Sequence, residues 1–144
     1  MEGHKMYFSE REDKQERGVG FLVHKNTVMD CRPINSRLIT ICLQANPFNI
    51  TIMQTYALPT GNDVQEFYEQ LQEVVDQTPK KDIVVVQGDW NAKIGEDACT
   101  NYKGTCGRFC NTETNERGMR LLEFASCNYL MLANTFGAHK LSRR

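Results

Sequence analysis

The sequence of 144 residues lacks any apolar run close to the about 18 residues that a membrane span requires. Residues 1–17 are charged and polar, so we expect no secretory signal, no membrane partner and an intracellular protein. A basic excess is also missing, because 17 Lys and Arg face 18 Asp and Glu, for a net charge of −1. That balance argues against tight non-specific DNA binding by the chain alone, although a nuclease needs only a local basic rim.

Several catalytic signatures are absent: the Gly-x-Ser-x-Gly elbow, the phosphate-loop lysine motif and His-Glu-x-x-His. The six cysteines include no Cys-x-x-Cys pair of the kind that zinc sites favour. Cys99, Cys106 and Cys110 cluster in a polar loop, without a nearby histidine. We therefore predict free thiols rather than disulfides, favour incidental loop cysteines over a metal knuckle, and assign no metal ligands.

The composition, with 40% hydrophobic and 24% charged residues, predicts one globular domain over residues 1–144, with poor order over 1–17. Strands are predicted at 19–24, 37–44, 49–56 and 129–136, and a further strand ends at residue 87. Helices are predicted at Asp63–Gln77 and Glu116–Cys127. Short links between the first three strands suggest an antiparallel meander. The order β-β-β-α-β-α-β indicates an α/β or α+β fold with a mixed sheet.

The most informative stretch is DIVVVQGDWNAKIG at 82–95. Its β-branched run predicts a strand covered on both faces. Because side chains alternate along a strand, we expect Asp89 and Asn91 to point the same way and Trp90 the other way. A carboxylate beside an amide suits hydrolysis at phosphorus: the carboxylate orients or deprotonates water and the amide donates to a phosphate oxygen. The alternative is a polar turn after a strand.

Other candidate residues lie at the ends of predicted elements. Tyr56 closes the third strand, where its phenol could reach a phosphate oxygen or simply pack on the sheet rim. Asn115 precedes the second helix, and a helix cap is the favoured interpretation. Asn134 ends the last predicted strand, where turn chemistry is the alternative. His139 belongs to a basic tail that we interpret as solvated.

Taken together, these motifs resemble one family. They are TYA at 55–57, GDWNA at 88–92, NERG at 115–118 with LLEF at 121–124, and NTF at 134–136. Their order is similar to that in endonuclease/exonuclease/phosphatase domains, especially the apurinic-type endonuclease domain of LINE retrotransposons. RGVGFL at 17–22 resembles the RTE and BovB elements and the craniofacial development protein 2-like sequences derived from them.

The resemblance implies part of a four-layer sandwich, in which two mixed β-sheets pack face to face with helices outside. It implies Mg²⁺-dependent hydrolysis of DNA, and hence DNA as partner and the nucleus as a candidate compartment. By position, Tyr56 contacts the phosphate, Asp89 handles the water or leaving group, and Asn91 stabilises the transition state. Asn115 and Asn134 would bind substrate.

The sequence also departs from the family pattern. The family's first-strand Asn and metal-binding Glu are expected to precede this chain, and Glu10 and Glu12 are not assigned to the metal. Asp97 is the last aspartate, so no Asp-His pair follows. We therefore expect an incomplete Mg²⁺ site, unpaired sheet edges and a very poor or inactive nuclease. One alternative is a non-enzymatic binding module or a degraded retroelement fragment. Another is a phospholipid or inositol-phosphate phosphodiesterase, which the motifs that begin at residues 88 and 115 argue against.

Overall fold

The computed structural model describes residues 2–11, 14–57, 63–111 and 113–138, with backbone alone for residues 10, 11 and 14–17. Glu12 and His139, which the sequence analysis named, lie outside the described residues. The chain divides into two compact units, Met1–Asp89 and Trp90–Arg144. Each unit is described in turn, and the assignment of residues 1–144 to one domain stays a prediction.

The first unit contains two β-sheets. Strands β1 (His4–Arg11) and β2 (Lys14–His24) form an antiparallel two-stranded sheet. A four-stranded sheet has the order β3-β4-β5-β6, with bounds Val28–Asn35, Leu38–Leu43, Ile50–Tyr56 and Ile83–Asp89. Its first three strands run antiparallel, and β5 pairs with β6 in parallel. With the helices, this arrangement confirms the predicted α+β fold, although among the described strands only the larger sheet is mixed.

The two sheets of this unit pack face to face. Val19 and Phe21 of β2 meet Ile39 and Ile41 of β4 in one buried cluster. Both isoleucines have 0% exposure, and burying a side chain of this size stabilises the fold by about 1.5–3 kcal/mol. The alternation along β4 explains the packing, because residues 39 and 41 share one face and Leu38 and Thr40 take the other.

Helix α1 (Asp63–Gln77) connects β5 to β6, as a parallel strand pair requires. Its buried residues Phe67, Leu71 and Val74 are spaced four and three apart, which places them on one helical face. The Asn35 amide nitrogen donates to Gln70 Oε1 at 2.6 Å and ties β3 to this helix. The predicted bounds of α1 are confirmed.

The expected burial of β6 on both faces is wrong. Ile83 is 50% and Val85 38% exposed, whereas the alternate residues Val84 and Val86 are half-buried. Residues 83 and 85 pair with Ile50 and Ile52, on the face where the core between the sheets reaches Ile52. Among the described strands, β6 is the edge strand of its sheet, and the core between the two sheets reaches Ile52 but not Ile83 or Val85, so this face of β6 stays exposed.

Three differences from the predicted elements come from contacts distant in sequence. Strand β1 and the start of β2 occupy part of the segment for which we expected poor order, because each strand supplies the other's hydrogen-bonding edge. Strand β3 was not predicted, and it takes the first place in the meander with β4 and β5. The strand predicted at 129–136 is wrong: a loop and a 3-10 turn at Ala133–Thr135 stand there.

The second unit packs two helices and a loop around a small core. Helices α2 (Glu96–Cys99) and α3 (Glu116–Cys127) lie at the two ends of this loop, and the predicted bounds of the longer helix are confirmed. The core members are Ile94, Ala98, Cys99, Cys106, Cys110, Leu121 and Leu122. None of the helices in the described part of the chain is long and apolar enough to cross a membrane.

Candidate functional site

Tyr56 and Asp89 are neighbours at the carboxyl ends of the parallel strands β5 and β6. They are register partners, and the Ala57 N–H donates to the Asp89 carbonyl oxygen at 2.8 Å. Tyr56 is half-buried and packs against the core between the sheets, whereas Asp89 is exposed. In open α/β sheets, ligands bind outside the carboxyl ends of the strands. The structure therefore brings a phenol and a carboxylate together where a ligand would be expected.

Gly88 allows this close pairing. Its φ is +147°, and a Cβ built there would lie 1.9 Å from the Thr55 carbonyl oxygen. No side chain fits that gap without moving β5. The close approach of β5 thus explains the glycine of the GDWNA motif. This glycine also allows the backbone conformation directly before Asp89.

Asn91 lies in a turn rather than in the strand. Strand β6 ends at Asp89, and Asn91 has a φ of +50°, in the left-handed region that asparagine tolerates better than most residues. The strand alternation therefore stops before Asn91. Our expectation that the Asp89 and Asn91 side chains point the same way assumed that Asn91 continues the strand, and that assumption is wrong. Within the second unit, the Asn91 carbonyl accepts from Asn115 Nδ2 at 3.5 Å.

Asn115 is the N-cap of α3. Its Oδ1 accepts from the Gly118 N–H at 2.8 Å and from the Lys93 N–H at 2.9 Å. The predicted cap is confirmed, and the side chain also holds the strand-to-loop segment that carries Asn91 and Lys93. Gly118 permits the close approach, because a Cβ there would lie 1.9 Å from the Lys93 carbonyl oxygen. A substrate-binding role for Asn115 stays a prediction.

Asn134 is exposed in the 3-10 turn, while its neighbour Thr135 is buried. Thr135 Oγ1 accepts from the Gly107 N–H at 2.8 Å and donates to the Leu132 carbonyl at 2.6 Å. The Thr135 carbonyl also accepts from the Phe109 N–H at 2.9 Å. The NTF motif therefore contains a structural residue that sequence reasoning missed, and substrate binding by Asn134 stays a prediction.

Asp97 was named only as the last aspartate, but its carboxylate has a defined partner. Thr114 Oγ1 donates to Asp97 Oδ1 at 2.6 Å and accepts from the Gly95 N–H at 2.9 Å. This hydrogen bond from the threonine hydroxyl is the main reason that the pKa of Asp97 lies below its usual value. Through these two hydrogen bonds, the Thr114 side chain connects the loop before α3 to the first residues of α2.

Replacing Thr114 with valine is expected to raise the pKa of Asp97 toward the value of an ordinary aspartate. A lowered pKa stabilises the folded chain above the unfolded-state pKa, and this stabilisation is lost as pH falls through the folded-state pKa. Wild type and variant should therefore differ most in stability near neutral pH and converge in acid. A carboxyl-carbon NMR titration measures the shift, and an unchanged Asp97 pKa in the variant would contradict it.

Two of the three loop cysteines contradict the prediction of free thiols. Cys99 and Cys106 form a disulfide, and Cys110 Sγ lies 2.7 Å from Cys99 Sγ and 3.3 Å from Cys106 Sγ. The backbone explains the convergence: the Cys106 N–H donates to the Tyr102 carbonyl at 3.0 Å, so the loop turns back toward the end of α2. Among the remaining described cysteines, Cys127 is exposed and has a free thiol.

The described residues do not fit a complete Mg²⁺ site. Mg²⁺ takes oxygen ligands, commonly one or two carboxylates together with substrate phosphates. Within the described ranges, Cys99, Cys106 and Cys110 form the group of three potential metal ligands. They offer sulfur rather than the oxygen that Mg²⁺ prefers. Asp89 is a single carboxylate outside that group. We therefore assign no catalytic step to a metal ion.

Known proteins resemble the chain in sequence and in fold. No protein-family model matches. Craniofacial development protein 2 of Bos taurus is 38% identical over 139 residues, and that of Tragulus javanicus 37% identical over 139 residues. Each alignment covers 92% of this chain but 23% and 24% of those proteins, so the chain spans about a quarter of their length.

Among solved structures, the endonuclease domain of TRAS1, a telomere-specific non-LTR retrotransposon, superimposes with a TM-score of 0.61. The sequence identity is 18%, and the match covers 89% of this chain and 54% of that domain. Agreement at such low identity concerns the fold. The chain is therefore similar in sequence to about a quarter of craniofacial development protein 2, and it shares the fold of the TRAS1 endonuclease domain.

Proposed function

We propose that this chain carries the central part of a DNA phosphodiesterase site in a retrotransposon-derived endonuclease-like domain. By itself, it hydrolyses DNA very poorly or not at all. The observation that carries the proposal is the register pairing of Tyr56 with Asp89 at the carboxyl ends of β5 and β6. The endonuclease fold of TRAS1 and the homology to craniofacial development protein 2 support it.

Each side chain of the proposed site has a chemical role. The exposed Asp89 carboxylate orients or deprotonates the attacking water. The Tyr56 phenol donates a hydrogen bond to a phosphate oxygen. The family resemblance alone assigns Asn91, which follows Asp89 by two residues in sequence, the role of donating its amide to the charge that develops on the phosphate. Asn115 acts by holding the Asn91 segment in place.

We expect impaired activity because Asp89 alone offers too few ligands for a catalytic metal ion. Among the residues that the structure describes, Asp89 does not belong to a group of three or more potential metal ligands that could hold a catalytic cation. Loss of members from a catalytic unit commonly lowers the rate by several powers of ten. The match covers about a quarter of the craniofacial development protein 2 relatives, and in proteins of that length the further ligands of such a site would come from residues outside the matched segment.

Plasmid nicking tests the proposal. Supercoiled DNA is incubated with the chain and Mg²⁺, with and without a chelator. We expect no nicking above the protein-free background. The matched comparison is Asp89→Ala against Asp76→Ala, an exposed aspartate on α1. Chelator-sensitive nicking that disappears in the first variant and persists in the second would overturn the claim of impaired turnover and retain the assignment of the site.

A non-enzymatic binding module is the second candidate, and the absence of a metal cluster around Asp89 in the described residues favours it. It predicts that Asp89→Asn strengthens DNA binding about fivefold, because removing a carboxylate near a phosphate relieves about 1 kcal/mol of repulsion. Asp76→Asn should leave the affinity unchanged. Fluorescence anisotropy with a labelled DNA duplex at fixed salt measures both. Equal affinities for wild type and Asp89→Asn would place DNA away from this residue.

A further inference from the structure

We propose that Cys99, Cys106 and Cys110, in their reduced state, bind one Zn²⁺ ion that fixes the loop between α2 and α3. This site would be structural, and it lies outside the proposed phosphodiesterase residues. Its existence does not depend on nuclease activity or on DNA binding.

The positions of the three sulfur atoms carry the proposal. All three Sγ atoms lie within 4.8 Å of one another. Sulfur ligands at about 2.3 Å in a tetrahedron around Zn²⁺ are about 3.8 Å apart. Cys110 Sγ, at 2.7 Å from Cys99 Sγ and 3.3 Å from Cys106 Sγ, needs to move outward by about 1 Å to reach that spacing, and Cys99 Sγ and Cys106 Sγ must separate to it once their bond is reduced.

The backbone presents the ligands in a suitable order. Cys106 and Cys110 are separated by three residues, within the two to four that zinc-ligand pairs commonly show. Cys99 comes from the last turn of α2, whose Cys99 N–H donates to the Gly95 carbonyl at 3.3 Å. A bridge between Gly95 and Asn111 closes the loop at its other end. The three thiols therefore belong to one closed segment, and their convergence does not require a distant element.

Burial explains why a cation would be retained. The three cysteines are between 6% and 9% exposed and lie among Ile94, Ala98, Leu121 and Leu122. Three buried thiolates without a partner would be strongly unfavourable in such apolar surroundings. Zn²⁺ reduces their charge from −3 to −1, whereas Cu⁺ would leave −2. The charge balance therefore favours zinc.

The fourth coordination position is open to a solvent molecule or another ligand. Within the described ranges, no further His, Cys, Asp or Glu joins the three sulfurs. Zinc in proteins is usually four-coordinate, so three thiolates leave one position. The Gly107 carbonyl oxygen lies 2.9 Å from Cys110 Sγ and 3.5 Å from Cys106 Sγ, so backbone oxygen is already present beside the sulfurs.

Zinc binding and the disulfide exclude each other. A dithiol reductant transfers two electrons and two protons to the Cys99–Cys106 disulfide; two thiols form and the reductant becomes a disulfide. Zn²⁺ then displaces one proton from each of the three thiols, because thiolates are the ligands. The oxidised chain retains one thiol of the cluster, at Cys110, and should not hold the ion.

Cobalt substitution tests the site. The whole chain is reduced with a phosphine and titrated anaerobically with Co²⁺, then with Zn²⁺. We expect thiolate-to-cobalt charge-transfer absorption that saturates at one equivalent and that Zn²⁺ removes. Cys110→Ser should weaken binding at least about tenfold, the scale at which even supporting residues of metal sites matter. Cys127→Ser removes an exposed free thiol of the same unit and should leave the titration unchanged.

A second comparison needs no substitution. Air-oxidised wild type keeps the same sequence, and peptide mapping verifies its Cys99–Cys106 bond. It should give no charge-transfer band and no zinc-dependent rise in melting temperature, whereas the reduced chain shows both. Absence of the band in reduced wild type would overturn the proposal, and so would equal binding by Cys110→Ser. Asp89→Ala should bind zinc normally, which separates this result from the fate of the proposed nuclease function.

Discussion

Replacing Gly88 with alanine is expected to lower the free energy of unfolding by about 3 kcal/mol, because two costs coincide at this position. The new Cβ would lie 1.9 Å from the Thr55 carbonyl oxygen and 2.7 Å from Thr55 Oγ1, so β5 or β6 must move. The backbone φ of +147° also disfavours any side chain. Both costs fall on the strand pair that aligns Tyr56 with Asp89.

Gly104→Ala is the matched control. Gly104 also has a positive φ, of +90°, but a Cβ there meets nothing within 4 Å. Its substitution should cost the conformational penalty alone, about 1 kcal/mol. Urea denaturation of the three proteins gives the comparison. Equal losses for the two variants would mean that the close approach to Thr55 contributes nothing, and the two parallel strands would then have room to separate.

The same substitution tests how the site depends on the fold. If Gly88→Ala remains folded, the displaced edge strand should move the Asp89 backbone away from Ala57, whose N–H now donates to the Asp89 carbonyl. Amide hydrogen exchange at Ala57 should then accelerate, while exchange in the antiparallel pair β3–β4 should not. Faster exchange confined to Ala57 and its neighbours would identify a local opening.

Local pattern was sufficient to predict the helices α1 and α3 and the positions of strands β4, β5 and β6. The stripe of apolar residues in α1 and the β-branched runs of β5 and β6 are signals contained within one segment. A crossover helix is also compatible with parallel strands β5 and β6, but their adjacency and the register that pairs Tyr56 with Asp89 are seen only in the structure. The sequence therefore predicted the site residues singly and not their pairing.

The remaining features depend on partners that the local pattern does not reveal. Strand β3 contains Pro33 and several polar residues and becomes a strand because β4 offers an edge. The segment at 129–136 has the apolar residues of a strand, but Tyr129 is 98% exposed with a φ of +55°, and the described residues there show a turn instead. The cysteine cluster needs no distant element, but no local pattern reveals the bridge between Gly95 and Asn111 that closes its loop.

The turn that holds Asn91 depends on Asn115, and Asn115→Ala is expected to lower the free energy of unfolding by about 2 kcal/mol. Loss of the cap at Gly118 costs about 1 kcal/mol, and loss of the acceptor for the Lys93 N–H adds a similar amount. Asn115→Asp is the matched control, because it keeps the acceptor oxygen and places negative charge at the N-terminus of α3. Its stability should stay close to that of wild type.

The aspartate variant also separates positioning from substrate binding. It loses Nδ2, which donates to the Asn91 carbonyl at 3.5 Å, and retains both bonds to Oδ1. If Asn115 only positions the turn, amide exchange at Lys93 and Gly118 should accelerate in Asn115→Ala and remain slow in Asn115→Asp. If Asn115 also contacts phosphate, Asn115→Asp should weaken DNA binding at unchanged stability. Equal stability of the alanine and aspartate variants would contradict the cap itself, since the two differ in the acceptor that α3 requires.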